Sequence, residues 1–275
     1  MSVNIKQWLE SASDELKQVG IASYRLDAEI LLAHTIKKPR TYLHAHPEEE
    51  LNERDIEIAN ARIALRLDRT PIAYIIGHKE FYDRRFKVTT ATLIPRPESE
   101  DMISMAKKLI NDDELLHKNS RVVDVGTGTG CLGITIKLEV PTIAVTLIDI
   151  SKQALNIAEQ NAKALQADVH LMSSDLLGDY PLQPDLILAN LPYVDPTWET
   201  SPELIHEPQL ALFAKDSGLE LIKKLIKQST KSLSKNGVLI LEADPRQHRQ
   251  IISFSLVSGF SLLEQQNFCL ALKRD

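Results

Sequence analysis

Asn190-Leu191-Pro192-Tyr193 follows the apolar run Asp185-Leu186-Ile187-Leu188-Ala189, and these residue types can hold a planar NH2 group. The amide oxygen of Asn190 and the backbone carbonyl of Leu191, fixed by the proline after it, supply two acceptors for two N–H protons. The Tyr193 ring can cover the face of the group. A planar amide or exocyclic amine is a poor nucleophile, so it must be held and polarised before it reacts. Taken alone, the stretch reads as a buried strand ending in a proline turn. A second segment shifts the weight: Arg121-Val122-Val123-Asp124-Val125-Gly126-Thr127-Gly128-Thr129-Gly130-Cys131-Leu132-Gly133. Here a β-branched strand runs into a glycine loop and then a helix, so backbone can approach a bound ligand closely. A dinucleotide fingerprint places its third glycine three residues after the second, where this chain has Cys131. That spacing disfavours a nicotinamide-dependent oxidoreductase.

Glycines alternating at 126, 128 and 130 are instead the spacing of S-adenosylmethionine-dependent methyltransferases. Ile143-Ala144-Val145-Thr146-Leu147-Ile148-Asp149 reads as another buried strand and ends on a carboxylate. Asp149 lies roughly twenty residues beyond the glycines, the separation at which an acid reaches a ribose hydroxyl pair. Asp149 could simply cap the next helix, as Ser151 could, but the glycine loop in front of it favours ribose. His170-Leu171-Met172 reads as a short strand leading to Ser173-Ser174-Asp175. Asp175 is placed to accept from an adenine amine, although acidic turn residues are common in any case. The order of these pieces gives an alternating β/α chain with its chemistry at strand C-termini.

With these residues in place, the chain resembles the glutamine N5-methyltransferases that modify peptide chain release factors. The resemblance spans nearly the whole length. Besides the glycine loop it rests on Arg69-Thr70-Pro71-Ile72-Ala73-Tyr74-Ile75-Ile76-Gly77, Glu80-Phe81-Tyr82 and Ile94-Pro95-Arg96-Pro97-Glu98-Ser99-Glu100. It continues through Asn161-Ala162, Glu207-Pro208, Ala211-Leu212 and Asp216-Ser217-Gly218. The resemblance implies an α/β fold: a Rossmann-like class I methyltransferase sheet with an N-terminal helical bundle domain and a short β-hairpin linker. It implies S-adenosylmethionine as cofactor, held by Asp124, Gly126, Thr127, Gly128, Thr129, Gly130, Asp149, Ile150, Asp175, Leu176 and Asn190. It implies catalysis by Asn190, Leu191, Pro192 and Tyr193, on the glutamine of a Gly-Gly-Gln loop in bacterial release factors 1 and 2. No metal is expected to take part, and a cytoplasmic monomer is expected.

Three departures stand out. The family tetrapeptide is Asn-Pro-Pro-Tyr, whereas Leu191 occupies the first proline position here. Leucine supplies the same carbonyl without the φ restraint, so a loss of pre-organisation on the order of 1 kcal/mol is expected. Leu241-Glu242-Ala243-Asp244-Pro245-Arg246-Gln247 lacks the family glycine after Leu-Glu-Ile, so an altered loop is expected there. The C-terminal segment Asn267-Phe268-Cys269-Leu270-Ala271-Leu272 is expected to close the sheet without the usual Arg-Asp-Leu and Arg-Val-Val elements.

The 43% hydrophobic and 25% charged composition is that of a soluble globular protein, and 275 residues suit one large or two modest domains. No apolar run approaches a membrane span, and Met1 to Glu10 lacks a signal-peptide core. Cys131 and Cys269 lie too far apart in the chain to suggest a disulfide framework or metal set; Cys131 reads as a small packing residue. A net charge of −6 argues against a sequence-independent nucleic-acid binder. The basic stretches Lys37-Lys38-Pro39-Arg40 and Asp83-Arg84-Arg85 read as solvated surface. His44 and His46, beside Pro47, lack a third ligand at metal spacing and read as loop residues.

The elements that must position this chemistry follow. Residues 1–72 read as a helical bundle, to which the resemblance assigns substrate recognition. Trp8, Leu9, Ala12, Leu16 and Val19 form one apolar stripe closed by Gly20, a second helix spans Ser23 to His34, and a third opens at Leu51-Asn52-Glu53. Residues 73–97, from Tyr74 through Phe86-Lys87-Val88, read as a β-hairpin linker. The methyltransferase domain, 98–275, opens with a helix over Glu98 to Ile110, and the charged connector Asn111-Asp112-Asp113-Glu114 precedes the first core strand. Val194 to Phe213 reads as a long loop of the functional or mobile kind. A helix ends over Lys231 to Gly237, Val238 to Leu241 form a strand, and Ser261 to Leu272 close an antiparallel hairpin. Other readings stay open: a methyltransferase acting on a glutamine of ribosomal protein L3, a DNA adenine N6-methylase without its target-recognition domain, or a decayed cofactor-binding protein.

Overall fold

The computed structural model describes residues 3–111, 116–117 and 119–275; Asp112, Asp113 and Glu114 of the charged connector lie outside the described residues, as do Met1 and Ser2. The chain divides into two units, Met1–Gly77 with Ser201–His206, and His78–Thr200 with Glu207–Asp275.

The first unit is helical. α1 (Ile5–Gln18) opens with a capping box in which Asn4 Oδ1 accepts from the Gln7 backbone and Gln7 Oε1 accepts from the Asn4 backbone. It buries Ile5, Trp8, Ala12 and Leu16 at helical spacing. Val19 does not continue that stripe: Gly20, at φ 74°, turns the chain and leaves Val19 exposed. α2 (Tyr24–Ile36) and α4 (Glu53–Leu67, capped by Asn52) fall on the expected segments, with the short α3 (Arg40–Ala45) between them and α5 (Ile72–Ile76) after them. His44 is therefore helical rather than in a loop. Tyr74 lies in α5, which Pro71 opens and Gly77 closes in the left-handed region, rather than in a β segment. Arg66 of α4 is buried; its Nε donates to Asp27 Oδ2 at 2.7 Å and its Nη2 to Glu203 Oε1 at 3.2 Å. A buried charge with two carboxylate partners thus fastens residues 201–206 to α4.

The second unit opens with the antiparallel pair β1 (His78–Phe81) and β2 (Arg84–Lys87), followed by α6 (Glu100–Asn111). β3 (Arg121–Val125), α7 (Cys131–Glu139), β4 (Ala144–Asp149), α8 (Lys152–Ala164), β5 (His170–Ser173) and β6 (Leu186–Ala189) alternate as the sequence requires. After α9 (Gln209–Leu212) come α10 (Glu220–Ser232), β7 (Val238–Glu242), α11 (Pro245–Val257), β8 (Phe260–Gln266) and β9 (Cys269–Arg274). The sheet runs β5-β4-β3-β6-β7-β9-β8, parallel through β7, with β9 antiparallel to both β7 and β8. Alternate strand residues serve opposite cores. Val122, Leu188 and Ile240 pack in one cluster with α6, α7 and α8 residues, and Val123, Ile187 and Leu239 pack in another with α10 residues.

The stretch expected as an altered loop is the end of β7 and the start of α11. Asp244 caps that helix, Pro245 takes its first position and Gln247 closes a capping box. Among the described residues no helix is long and apolar enough to cross a membrane.

Register places the chemistry. Val125 pairs with Ile148 on β4 and Ala189 on β6, and Ala189 pairs with Leu241 on β7. The next residue of each strand therefore stands in one row: Asp149, Gly126, Asn190, Glu242. The chain winds outward from β3 through β5 and returns to β6 on the other side of β3, the switch point where α/β sheets open a ligand crevice.

Candidate active site

The glycine loop is braced from below and from both sides. The Gly126 and Thr127 amides donate to Ile148 O at 2.8 and 2.9 Å. Asp124 lies buried beneath the loop, where its Oδ2 accepts from Thr127 Oγ1 at 2.6 Å and Gly133 N at 2.9 Å. Burial pushes its carboxyl up to about 6, against those two donors. Its Oδ1 finds no hydrogen-bond partner among the described residues. Asp149 accepts from Gly128 N at 2.9 Å and from Ser151 N at 2.8 Å, and burial raises its pKa. Asn161 of α8 donates to Thr129 O at 2.9 Å and exchanges two hydrogen bonds with the Lys87 backbone, which ties β2 to the loop. Gly130 caps α7 in the left-handed region.

Beyond the loop the expected residues diverge. Ile150, next to Asp149, is 70% exposed and offers an apolar face. Asp175 is engaged at the surface by Lys224 Nζ at 2.5 Å, and Leu176, at φ 53°, turns inward and is buried.

The tetrapeptide is anchored by groups outside it. Asn190 Nδ2 donates to Ser99 Oγ at 3.0 Å, Ser99 Oγ donates to Glu242 Oε2 at 2.5 Å, and Tyr193 Oη donates to Glu242 Oε1 at 3.2 Å. Glu242 is 1% exposed. Burial raises its pKa, and hydrogen bonds from Ser99, Tyr193 and Asn190 oppose the rise. Burial and the Glu242 carboxylate together push the Tyr193 phenol up. Leu191 is buried in the cluster of Val125, Ile148 and Leu176, while Pro192 and Tyr193 are half-buried.

The stretch after Tyr193 is not an open loop. Val194 bridges to Phe213, and α9 sits just before that bridge. Buried Glu207 accepts from Ile94 N at 3.1 Å and from Arg96 Nη2 at 2.5 Å. Gln247 Nε2 donates to both Tyr193 O and Ser217 O at 2.8 Å. Gly218, at φ 83°, lets the chain pass where a Cβ would stand 1.9 Å from Tyr193 O. The Arg246 guanidinium lies 3.7 Å from the Trp198 ring centroid and is held there by Asp244 at 2.7 and 2.8 Å.

The structure thus brings together Asp124, Gly126 to Gly130, Asp149 and Asn190 to Tyr193 along the strand ends. Sequence reasoning did not single out Ser99, Glu207, Glu242 or Gln247 as site residues. Glu242 carries a readable signal, a carboxylate ending an apolar strand as Asp149 does. Gln247 is legible only as the capping-box partner of Asp244, and Ser99 carries no signal, because its partners are set by tertiary packing.

These residues fit S-adenosylmethionine. A Cβ on Gly128 would meet nothing within 4 Å, so the loop leaves space above it. Asp149 retains acceptor capacity for hydroxyls, exposed Ile150 offers a flat apolar contact, and the partnerless Asp124 oxygen favours a cationic ligand. Among the described residues no group of three or more His, Cys, Asp or Glu side chains is placed to hold a metal ion.

A glycine loop and an Asn-x-Pro-Tyr turn leaving adjacent parallel strands define a methyltransferase domain, and residues 100–267 match the Methyltransferase small domain. Residues 7–77 match the PrmC N-terminal domain. The release factor glutamine methyltransferase of Koribacter versatilis is 37% identical over 256 residues, which cover 88% of this chain and 89% of that protein. The chain belongs to the release factor glutamine methyltransferase family. A bifunctional methyltransferase of Rickettsia bellii is 34% identical over 292 residues, 94% of this chain but 52% of that protein, so the chain spans about half the length of that relative. A methyltransferase structure from Pyrococcus furiosus shares the fold at a TM-score of 0.53 and 16% identity, covering 78% of this chain and 95% of that one.

Proposed function

We propose that this chain transfers a methyl group from S-adenosylmethionine to the side-chain amide nitrogen (N5) of the glutamine in the Gly-Gly-Gln motif of bacterial peptide chain release factors 1 and 2, in the cytoplasm. The observation that carries the reading is the pairing of Val125 with Ala189, which sets Gly126 beside Asn190. Family membership supports the same substrate.

S-adenosylmethionine supplies, when bound, an electrophilic methyl on a sulfonium. The backbone of Gly126, Thr127, Gly128, Thr129 and Gly130 would cradle it, Asp149 would take the ribose hydroxyls and exposed Ile150 would lie against the adenine, whose amine Asp175 would reach by leaving Lys224. Asn190 Oδ1 and the Leu191 carbonyl accept the two N–H protons of the glutamine amide, Pro192 fixes that carbonyl and the Tyr193 ring packs on the amide plane. The surplus proton on nitrogen leaves to water, so no strong base is needed. Residues 1–72 grip the protein substrate, 73–97 link, and 98–275 carry the chemistry.

The test is mass spectrometry of purified release factor, L3-type ribosomal protein and a DNA oligomer, each incubated with the protein and labelled S-adenosylmethionine. Label on the Gly-Gly-Gln glutamine is expected. Label on L3 or DNA would move the substrate, and cofactor binding without label would leave a decayed enzyme. Asn190→Ala should lower turnover by roughly a hundredfold while cofactor affinity holds.

A further inference from the structure

Every hydrogen bond behind Asn190 runs in one direction. The Ser99 hydroxyl donates to Glu242 Oε2, which leaves Ser99 Oγ to accept. Asn190 answers with Nδ2 at 3.0 Å. The Asn190 NH2 is thereby turned to the buried side, toward Ser99 and the Glu242 carboxyl, and the amide oxygen is the atom left for the crevice. Glu242 sits where it must, because Ala189 pairs with Leu241 and the residues after them are neighbours. Its other oxygen takes the Tyr193 hydroxyl, so one buried carboxylate fixes both ends of the tetrapeptide.

We propose that Glu242 and Ser99 are positioning residues that set the amide orientation of Asn190, and so make the site selective for an NH2 group over an oxygen. With Oδ1 outward, the crevice presents two acceptors, Asn190 Oδ1 and the Leu191 carbonyl. They match the two protons of a glutamine amide and repel a glutamate carboxylate or an ester. With the relay cut, Asn190 can turn its NH2 outward, and the site then offers one acceptor and one donor. This inference rests on the proposed glutamine-methylating reading.

The experiment compares the parent chain with Ser99→Ala, Ser99→Thr and Glu242→Gln. It measures turnover and KM on release factor, S-adenosylhomocysteine affinity by calorimetry, and the affinity ratio for a Gly-Gly-Gln peptide over its Gly-Gly-Glu counterpart. Ser99→Ala is expected to lower kcat by roughly tenfold or more, to leave nucleoside affinity as in the parent, and to narrow the peptide ratio, with a lower melting temperature because the buried Glu242 carboxylate loses a donor. Ser99→Thr, which keeps the hydroxyl, should restore both. Glu242→Gln, able to donate toward Ser99, should narrow the ratio as Ser99→Ala does. A parent-like ratio and kcat in a folded Ser99→Ala overturn the proposal. Should Ser99→Ala not fold, a parent-like ratio in Glu242→Gln overturns it instead. A parent chain that does not methylate release factor refutes the underlying reading, an outcome distinct from either.

Discussion

A Cβ on Gly126 would stand 2.9 Å from Leu191 Cδ2, so the glycine loop and the turn after β6 meet at one leucine methyl. Gly126 also holds φ at 71°, which costs a residue with a side chain about 1–2 kcal/mol. Gly126→Ala must therefore strain the loop and push Leu191, whose carbonyl is the proposed second acceptor. The expected outcome is about tenfold weaker cofactor binding together with reduced turnover, by calorimetry and methylation assay. Parent-like affinity would show that the leucine yields without moving the loop.

Gln247 is the corresponding tie on the other side of the turn. Replacing it with leucine keeps the volume and leaves Tyr193 O and Ser217 O without their donor. Part-buried carbonyls left without a donor, together with the lost capping box, predict a loss of about 1–3 kcal/mol in urea denaturation. Because the Tyr193 backbone is released, kcat should fall more than KM rises. Unchanged stability would mean that water replaces the amide.

What the sequence disclosed and what it hid differ in physical kind. Gly126, Asp149 and Asn190 were legible because each ends an apolar run that a buried parallel strand explains, and the strand order follows from alternation with helices. α11 was not legible as a helix, because its buried face carries Gln247, His248, Ile251 and Ser255 and so shows no apolar period. Those polar groups are satisfied within the fold: His248 Nδ1 contacts Gln265 Nε2 at 3.1 Å and its Nε2 contacts Ala243 O at 3.1 Å, while Ser255 Oγ donates to Ile252 O. α3 is only 6 residues long with Leu43 as its buried side chain, too little for periodicity to register. The Ser99–Glu242 contact joins residues 143 apart, a distance across which spacing holds no information.

Asp124 gives the ligand-free protein a pH signature. Its carboxyl stands up near about 6 instead of 3.8 because burial disfavours the charge. A group that binds its proton more tightly folded than unfolded adds stability below its ordinary value, and that contribution is lost as pH rises through the folded value. Between about pH 4 and pH 7 the parent should lose on the order of 2–3 kcal/mol from this residue. Asp124→Asn retains an acceptor for Thr127 and Gly133 and removes the titration. Denaturation curves across that range should therefore show the variant gaining on the parent as pH rises. A constant difference would mean that Asp124 titrates at its ordinary value.

Leu191 stands where the family carries proline, and the fold uses the leucine differently. Its side chain is 3% exposed, packed with Val125, Ile148 and Leu176 and touching Gly126. Leu191→Pro would recover a backbone restraint of about 0.4–1 kcal/mol. It would also remove buried aliphatic contacts worth about 1–3 kcal/mol and open space beneath the glycine loop. Packing outweighs restraint, so the variant should melt several degrees lower, at about 2–4 °C per kcal/mol for a chain of this size. Turnover measured well below the melting temperature should hold or rise, because the acceptor carbonyl is more tightly fixed. A higher melting temperature in Leu191→Pro would show that the leucine methyls contribute less than the recovered restraint.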